Sequence, residues 1–92
     1  MIRTITYDPR KRAETLANRK LDFDDAAQVF AGKHLQIEDD RRDYGETRWI
    51  TVGRLNRQVV IVVWTPRGEA RRIISMRKCN AKEREKYLAH LD

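Results

Sequence analysis

Arginine, with one nearby glutamate, is the residue type in this sequence best placed to do chemistry. Arg48 follows Glu46 by two positions in GETR. Arg72 and Arg77 bracket the apolar centre of RRIISMRK, which ends in Lys78. A guanidinium offers planar, paired donors that match phosphate oxygens. Several around one phosphodiester would stabilise the charge that builds on its oxygens during attack. Each is worth ~3–4 kcal/mol where water is excluded, by analogy with oxyanion donors. RNA carries its own nucleophile, the 2′-hydroxyl. A protein then needs only to orient the chain, accept a proton from that hydroxyl and hold the phosphorane. Glu46 is the carboxylate beside one of these arginines and is the candidate base. A lysine such as Lys78 would serve instead only if its surroundings favoured the neutral amine. Arg48 and Glu46 read equally well as a surface ion pair of small value.

Charge distribution supports an anionic ligand. Residues 70–87 hold seven basic and two acidic side chains, a net +5 within a chain whose total is +6. Such concentration is the footprint of a site for an anion, most often a nucleic-acid backbone. Arg71, Lys82 and Arg84 fit the roles of phosphate positioners or solvated charges. Trp49, Tyr44 and Trp64 could stack on bases, although Trp64 lies in VVIVVW and reads more simply as core.

Other chemistries find little support. Cys79 is the single cysteine of the 92 residues, so an internal disulfide and a cysteine zinc site are excluded. His34 and His90 are isolated. The acidic run EDDRRDYGE lacks calcium-loop spacing and reads as a solvated loop, with a carboxylate metal cluster as the sharper alternative. No metal and no cofactor are expected. The longest apolar run, Val59 to Trp64, is far short of a membrane span, and the N-terminus lacks an apolar signal region. A cytoplasmic, reduced protein is the expectation, organised as one domain over residues 1–92.

The elements that must position the arginines follow from hydrophobic spacing. Ile2 to Tyr7 is β-prone and short. Asp8-Pro9 starts a helix, Asp as N-cap and Pro at the first helical position, running to about Asn18 with Ala13, Leu16 and Ala17 as its apolar stripe. Asp22 starts a second, with Phe23, Ala26, Ala27 and Phe30 on one face and Gly32 as a C-terminal stop. Leu35 and Ile37 could form a brief strand. Arg48–Gly53, Gln58–Thr65 and the basic strand after the turn at Pro66-Arg67-Gly68-Glu69 are joined by short connections, which require antiparallel neighbours. The middle strand is apolar on both parities and should be covered on both faces. Asn80, with Glu83 three residues on, opens a terminal helix through a capping-box pair. The expected fold is α+β: an antiparallel sheet of about four strands, two N-terminal helices on one face and a C-terminal helix. On an ideal strand Arg72 and Arg77 have opposite parity. They share a face only if the strand ends or bulges near Ser75.

Several segments in order resemble the BrnT-type toxins of type II toxin–antitoxin modules: YDPRKRAETLANRKLDF, DDRRDYGETRWITVG, VVIVVWTPRG, RRIISMRK and AKEREKY. The resemblance covers nearly the whole chain. It implies a RelE-like fold, RNA cleavage that halts translation, and neutralisation by a DNA-binding BrnA-type antitoxin. It places Glu46, Arg48, Arg72, Ser75, Arg77 and Lys78 on matching motif positions. Many members carry Lys-His-Gly where this chain reads Asn18-Arg19-Lys20. A non-catalytic nucleic-acid-binding module, or a patch that docks an acidic partner, would use the same basic surface.

Overall fold

The computed structural model describes residues 4–91. Five strands form one mixed sheet in the order β1-β5-β4-β3-β2. They are β1 (Ile5–Tyr7), β2 (His34–Glu38), β3 (Trp49–Leu55), β4 (Gln58–Arg67) and β5 (Ala70–Lys78). The helices are α1 (Pro9–Arg19), α2 (Ala26–Ala31) and α3 (Ala81–Leu91), with a 3-10 turn at Phe23–Asp25 leading into α2.

Two differences from the expected sheet stand out. It has five strands, because Leu35 and Ile37 belong to a full edge strand paired antiparallel with β3. It is mixed, because β1 pairs parallel with β5 through Ile5–Arg71 and Tyr7–Ile73. Short turns fix only the β3-β4-β5 meander; the distant N-terminal strand was free to join either way. Of the Ile2–Tyr7 strand read from the sequence, Ile2 and Arg3 lie outside the described residues.

The alternation of β4 decides where the helices go. Val60, Val62 and Trp64 point to one side, where Phe23, Ala26 and Val29 cover them. Val59, Ile61 and Val63 point to the other, where Leu91, Leu88 and Tyr87 of α3 pack. Both faces of β4 are covered, as its unbroken apolar run requires. The helices are therefore not segregated on one face: α2 and α3 sit on opposite sides. Gly53 allows α2 to come this close, since a Cβ there would stand 2.8 Å from Val29 Cγ1.

The first helix departs from its expected role. It buries no side chain, and Leu16 is 41% exposed. Its stripe of one leucine and two alanines offers too little apolar area to hold a face of the sheet. Polar tethers hold it instead. Arg12 donates to both Asp22 carboxylate oxygens at 2.8 Å, and Arg19 donates to the Met76 carbonyl at 2.9 Å. The Asp8 N-cap forms as expected, its side chain accepting from Arg10 N at 2.9 Å. At the other end Lys20, not a glycine, takes the left-handed conformation (φ 59°), while Gly32 closes α2 in an extended one.

Candidate phosphate-binding site

Strand pairing brings Arg48 and Arg72 onto one row of the sheet. Trp49 pairs with Trp64, so the same register continued by one residue sets Arg48 opposite Thr65. Thr65 pairs in turn with Arg72. The row lies on the face that α3 covers farther along, because Thr65 shares the parity of Ile61 and Val63 on β4. Continued two residues more, the register sets Glu46 opposite Arg67, and those side chains form an ion pair. Thr65 Oγ1 donates to the Thr47 carbonyl at 2.6 Å and pins the segment entering β3 against β4.

Glu46 is thus ringed by positive charge. The Arg67 hydrogen bond holds its carboxyl below the usual carboxylate range. The charges of Arg67, Arg48 and Arg72 pull the same way, against a partial desolvation. Arg48 Nε lies 3.9 Å from Glu46 Oε1, close enough for attraction but too long for a hydrogen bond. That Nε–H is buried and has no hydrogen-bond partner among the described residues. A buried unpaired donor costs ~1–3 kcal/mol, so the arrangement is suited to an added acceptor oxygen. The Arg48 guanidinium carbon lies over Tyr44, 3.9 Å from the ring centroid.

The acidic loop supports this arginine. Asp39 is buried, its carboxylate accepts from Arg41 Nε at 2.7 Å and Nη2 at 2.8 Å, and its backbone N–H donates to the Arg48 carbonyl at 2.8 Å. The Arg41 bond holds the Asp39 carboxyl below its ordinary value. The loop is an anchor for Arg48 rather than a solvated segment throughout.

A bulge settles the parity of β5. Ser75 pairs with Val63 and Ile73 with Trp64, so Ile74 is an extra residue between them. Arg72 and Arg77, opposite Thr65 and Ile61, consequently share a face. They do not share a phosphate. Four residues of β4 separate their partners, ~13 Å along the strand. Both ends of the Arg77 fork are taken by Glu83, at 2.7 Å each. Three converging guanidiniums are therefore not what the fold provides: Arg48 and Arg72 stand together with Arg67, and Arg77 stands apart. Lys78, opposite Val60, projects to the α2 face and away from both groups.

The remaining expected binders also divide. Arg71 lies over the rings of Phe30 (3.9 Å) and Trp64 (5.2 Å) on the α2 face. Trp49 packs on that same face and cannot stack a base over the arginine row. Alternation along each strand explains both results. Lys82 and Arg84 are exposed on α3. Arg67 reads as turn in the sequence; the hairpin register places it beside Glu46.

The capping box forms at the head of α3. Glu83 N donates to Asn80 Oδ1 at 2.8 Å and Asn80 N to Glu83 Oε1 at 3.0 Å. Arg77, with help from that backbone bond, pulls the Glu83 carboxyl from 4.5 to about 2. A depressed folded-state pKa gives stability that is complete above the unfolded value and lost as pH falls toward 2. Urea melts at pH 7 and pH 3 should therefore show a smaller loss of stability on acidification in Glu83→Gln than in the parent.

A cleft of about 270 Å³ runs between α1 and the bulge of β5. Lys11, Thr15, Asn18 and Arg19 line it from the helix, and Ile74 and Ser75 from the strand. Nothing in the periodicity of α1 marks these residues, which read as its wet side.

A protein-family model described as the ribonuclease toxin, BrnT, of type II toxin–antitoxin systems matches residues 7–83. No curated protein matches the chain.

Proposed function

Since the chain belongs to the BrnT family of ribonuclease toxins from type II toxin–antitoxin systems, we propose that it cleaves RNA at the row formed by Arg48, Thr65 and Arg72. The observation that carries this reading is the buried Arg48 Nε, which has no hydrogen-bond partner among the described residues, beside the Glu46–Arg67 pair. A phosphodiester oxygen supplies the acceptor that this donor lacks.

The chemistry follows from the groups present. The 2′-oxygen forms a bond to phosphorus, and the bond from phosphorus to the 5′-oxygen breaks. Glu46, ionised at neutral pH, accepts the 2′-hydroxyl proton, and the leaving 5′-oxygen takes a proton from water. A carboxylate held to low pKa by three arginines is a weak base, so most of the rate comes from Arg48 and Arg72. They bind the equatorial oxygens more strongly as charge grows there. The products are a 2′,3′-cyclic phosphate and a 5′-hydroxyl. In the cell, such cleavage would arrest translation and growth.

The family implies a protein antitoxin as partner. Its BrnA type and its competition with RNA for the basic face belong to the same proposal. The decisive experiment is incubation of labelled RNA with the purified protein in EDTA. Cyclic phosphate ends are expected, and an RNA with a single 2′-deoxy substitution at the cleaved nucleotide should resist cutting there. Binding without cleavage would leave a nucleic-acid-binding module in place of an enzyme.

A further inference from the structure

Beyond Ile73, where its pairing with β1 ends, the bulged stretch of β5 leaves an opening toward α1. The opening is the 270 Å³ cleft. Its composition is not that of a phosphate clamp. Ile74 gives it an apolar patch. Thr15, Asn18 and Ser75 bring neutral groups that both donate and accept. Glu14 adds an acceptor, and Lys11 and Arg19 add two cations. A mainly polar lining of mixed donors and acceptors around one isoleucine suits a base, whose face is apolar and whose edge alternates donors with acceptors. The Asn18 carboxamide can pair in two-point fashion with such an edge. Size agrees: the volume is below the ~300–1,000 Å³ of sites for drug-sized ligands, room for one base and not for a folded RNA element.

Position agrees as well. Ile74 and Ser75 lie on β5 between Arg72 and Arg77, one and two residues beyond Ile73, the neighbour of Arg72. A strand of RNA whose phosphate rests on Arg48 and Arg72 therefore meets the cleft with its adjoining nucleotide. Arg19 bridges the cleft to the Met76 carbonyl and fixes its far wall. We propose that the cleft between α1 and the β5 bulge binds one nucleobase of single-stranded RNA, next to the phosphate held by Arg48 and Arg72. Its assignment to RNA rests on the ribonuclease reading; its capacity for a nucleotide does not.

The test uses the four nucleoside 5′-monophosphates, with ribose 5-phosphate as the baseless control, titrated into ¹⁵N-labelled protein. At least one nucleotide should bind tenfold or more tightly than the control and shift the amides of Thr15, Asn18, Ile74 and Ser75. Asn18→Ala and Ser75→Ala should each weaken that binding at least fivefold. They should also raise KM for RNA by more than they lower kcat. Equal affinity for nucleotides and ribose phosphate, or shifts confined to the Arg48–Arg72 row, would overturn the cleft as a base site even if RNA is cut. Base-dependent shifts in the cleft from a protein that cuts no RNA would uphold the site and remove the ribonuclease.

Discussion

Arg72→Ala should lower RNA cleavage about 10²–10³-fold, the usual loss on removing one donor that faces a developing oxyanion. The loss should fall on kcat more than on KM, because the contact strengthens as the phosphorus gains its fifth oxygen. Arg72→Lys should recover only part of it, since an ammonium keeps the charge but not the planar fork. The fold should survive. Arg72 sits half-buried between Thr6 of β1 and Thr65 of β4, and the fully buried apolar side chains of β5, Ile73 and Met76, lie on the other side. Single-turnover cleavage of a labelled RNA, beside a thermal melt, measures both. Arg77→Ala sharpens the comparison. Arg77 is bound to Glu83 across the head of α3, so its loss should first loosen that junction. If Arg77→Ala abolished cleavage and Arg72→Ala left it intact, the reacting phosphate would belong at the α3 end.

The second large effect concerns the fold. Trp64 is 1% exposed, meets Phe30 edge to face at 5.5 Å, and donates from Nε1 to Thr51 Oγ1 at 2.8 Å. Trp64→Ala should cost ~3–5 kcal/mol from lost burial and the cavity left behind. The Thr51 hydroxyl, buried and now unpaired, should add ~1–3 kcal/mol. A domain of this length is stable by ~5–14 kcal/mol at the usual per-residue values. The variant should therefore lose a large part or all of that stability, ~4–8 kcal/mol, read as a fall in the urea midpoint by circular dichroism. Trp64→Phe alone still strands the hydroxyl. Paired with Thr51→Val it should regain stability, because both partners of the bond are then apolar. A recovery absent from the double variant would mean that ring volume, not the hydrogen bond, dominates.

Much of this was legible in residue order. The β3-β4-β5 meander follows from short turns, and the two-sided burial of β4 from an apolar run without alternation. The capping box of α3 follows from Asn80 and Glu83. Other features depend on partners distant in sequence. Nothing local tells β1 to lie parallel beside β5. Glu46 and Arg67 are 21 residues apart and meet only through hairpin register. The choice between one face and two for Arg72 and Arg77 turned on whether a single residue was extra, and β-branched isoleucines at 73 and 74 do not announce it. Trp49 lies away from the arginine row for a related reason: an aromatic beside an arginine in sequence is across the sheet from it in a strand.

The extra residue in β5 acts as a phase shift, and that has a consequence for how this chain can vary. Inserting or deleting one neutral amino acid between Ile73 and Met76 would leave net charge and every arginine of the chain intact, yet rotate half of the strand to the wrong side. Length changes there should be tolerated in twos, not ones. Two chains with the same basic residues could differ entirely in what those residues reach, and a reading frame's worth of charge would say nothing about which of them works.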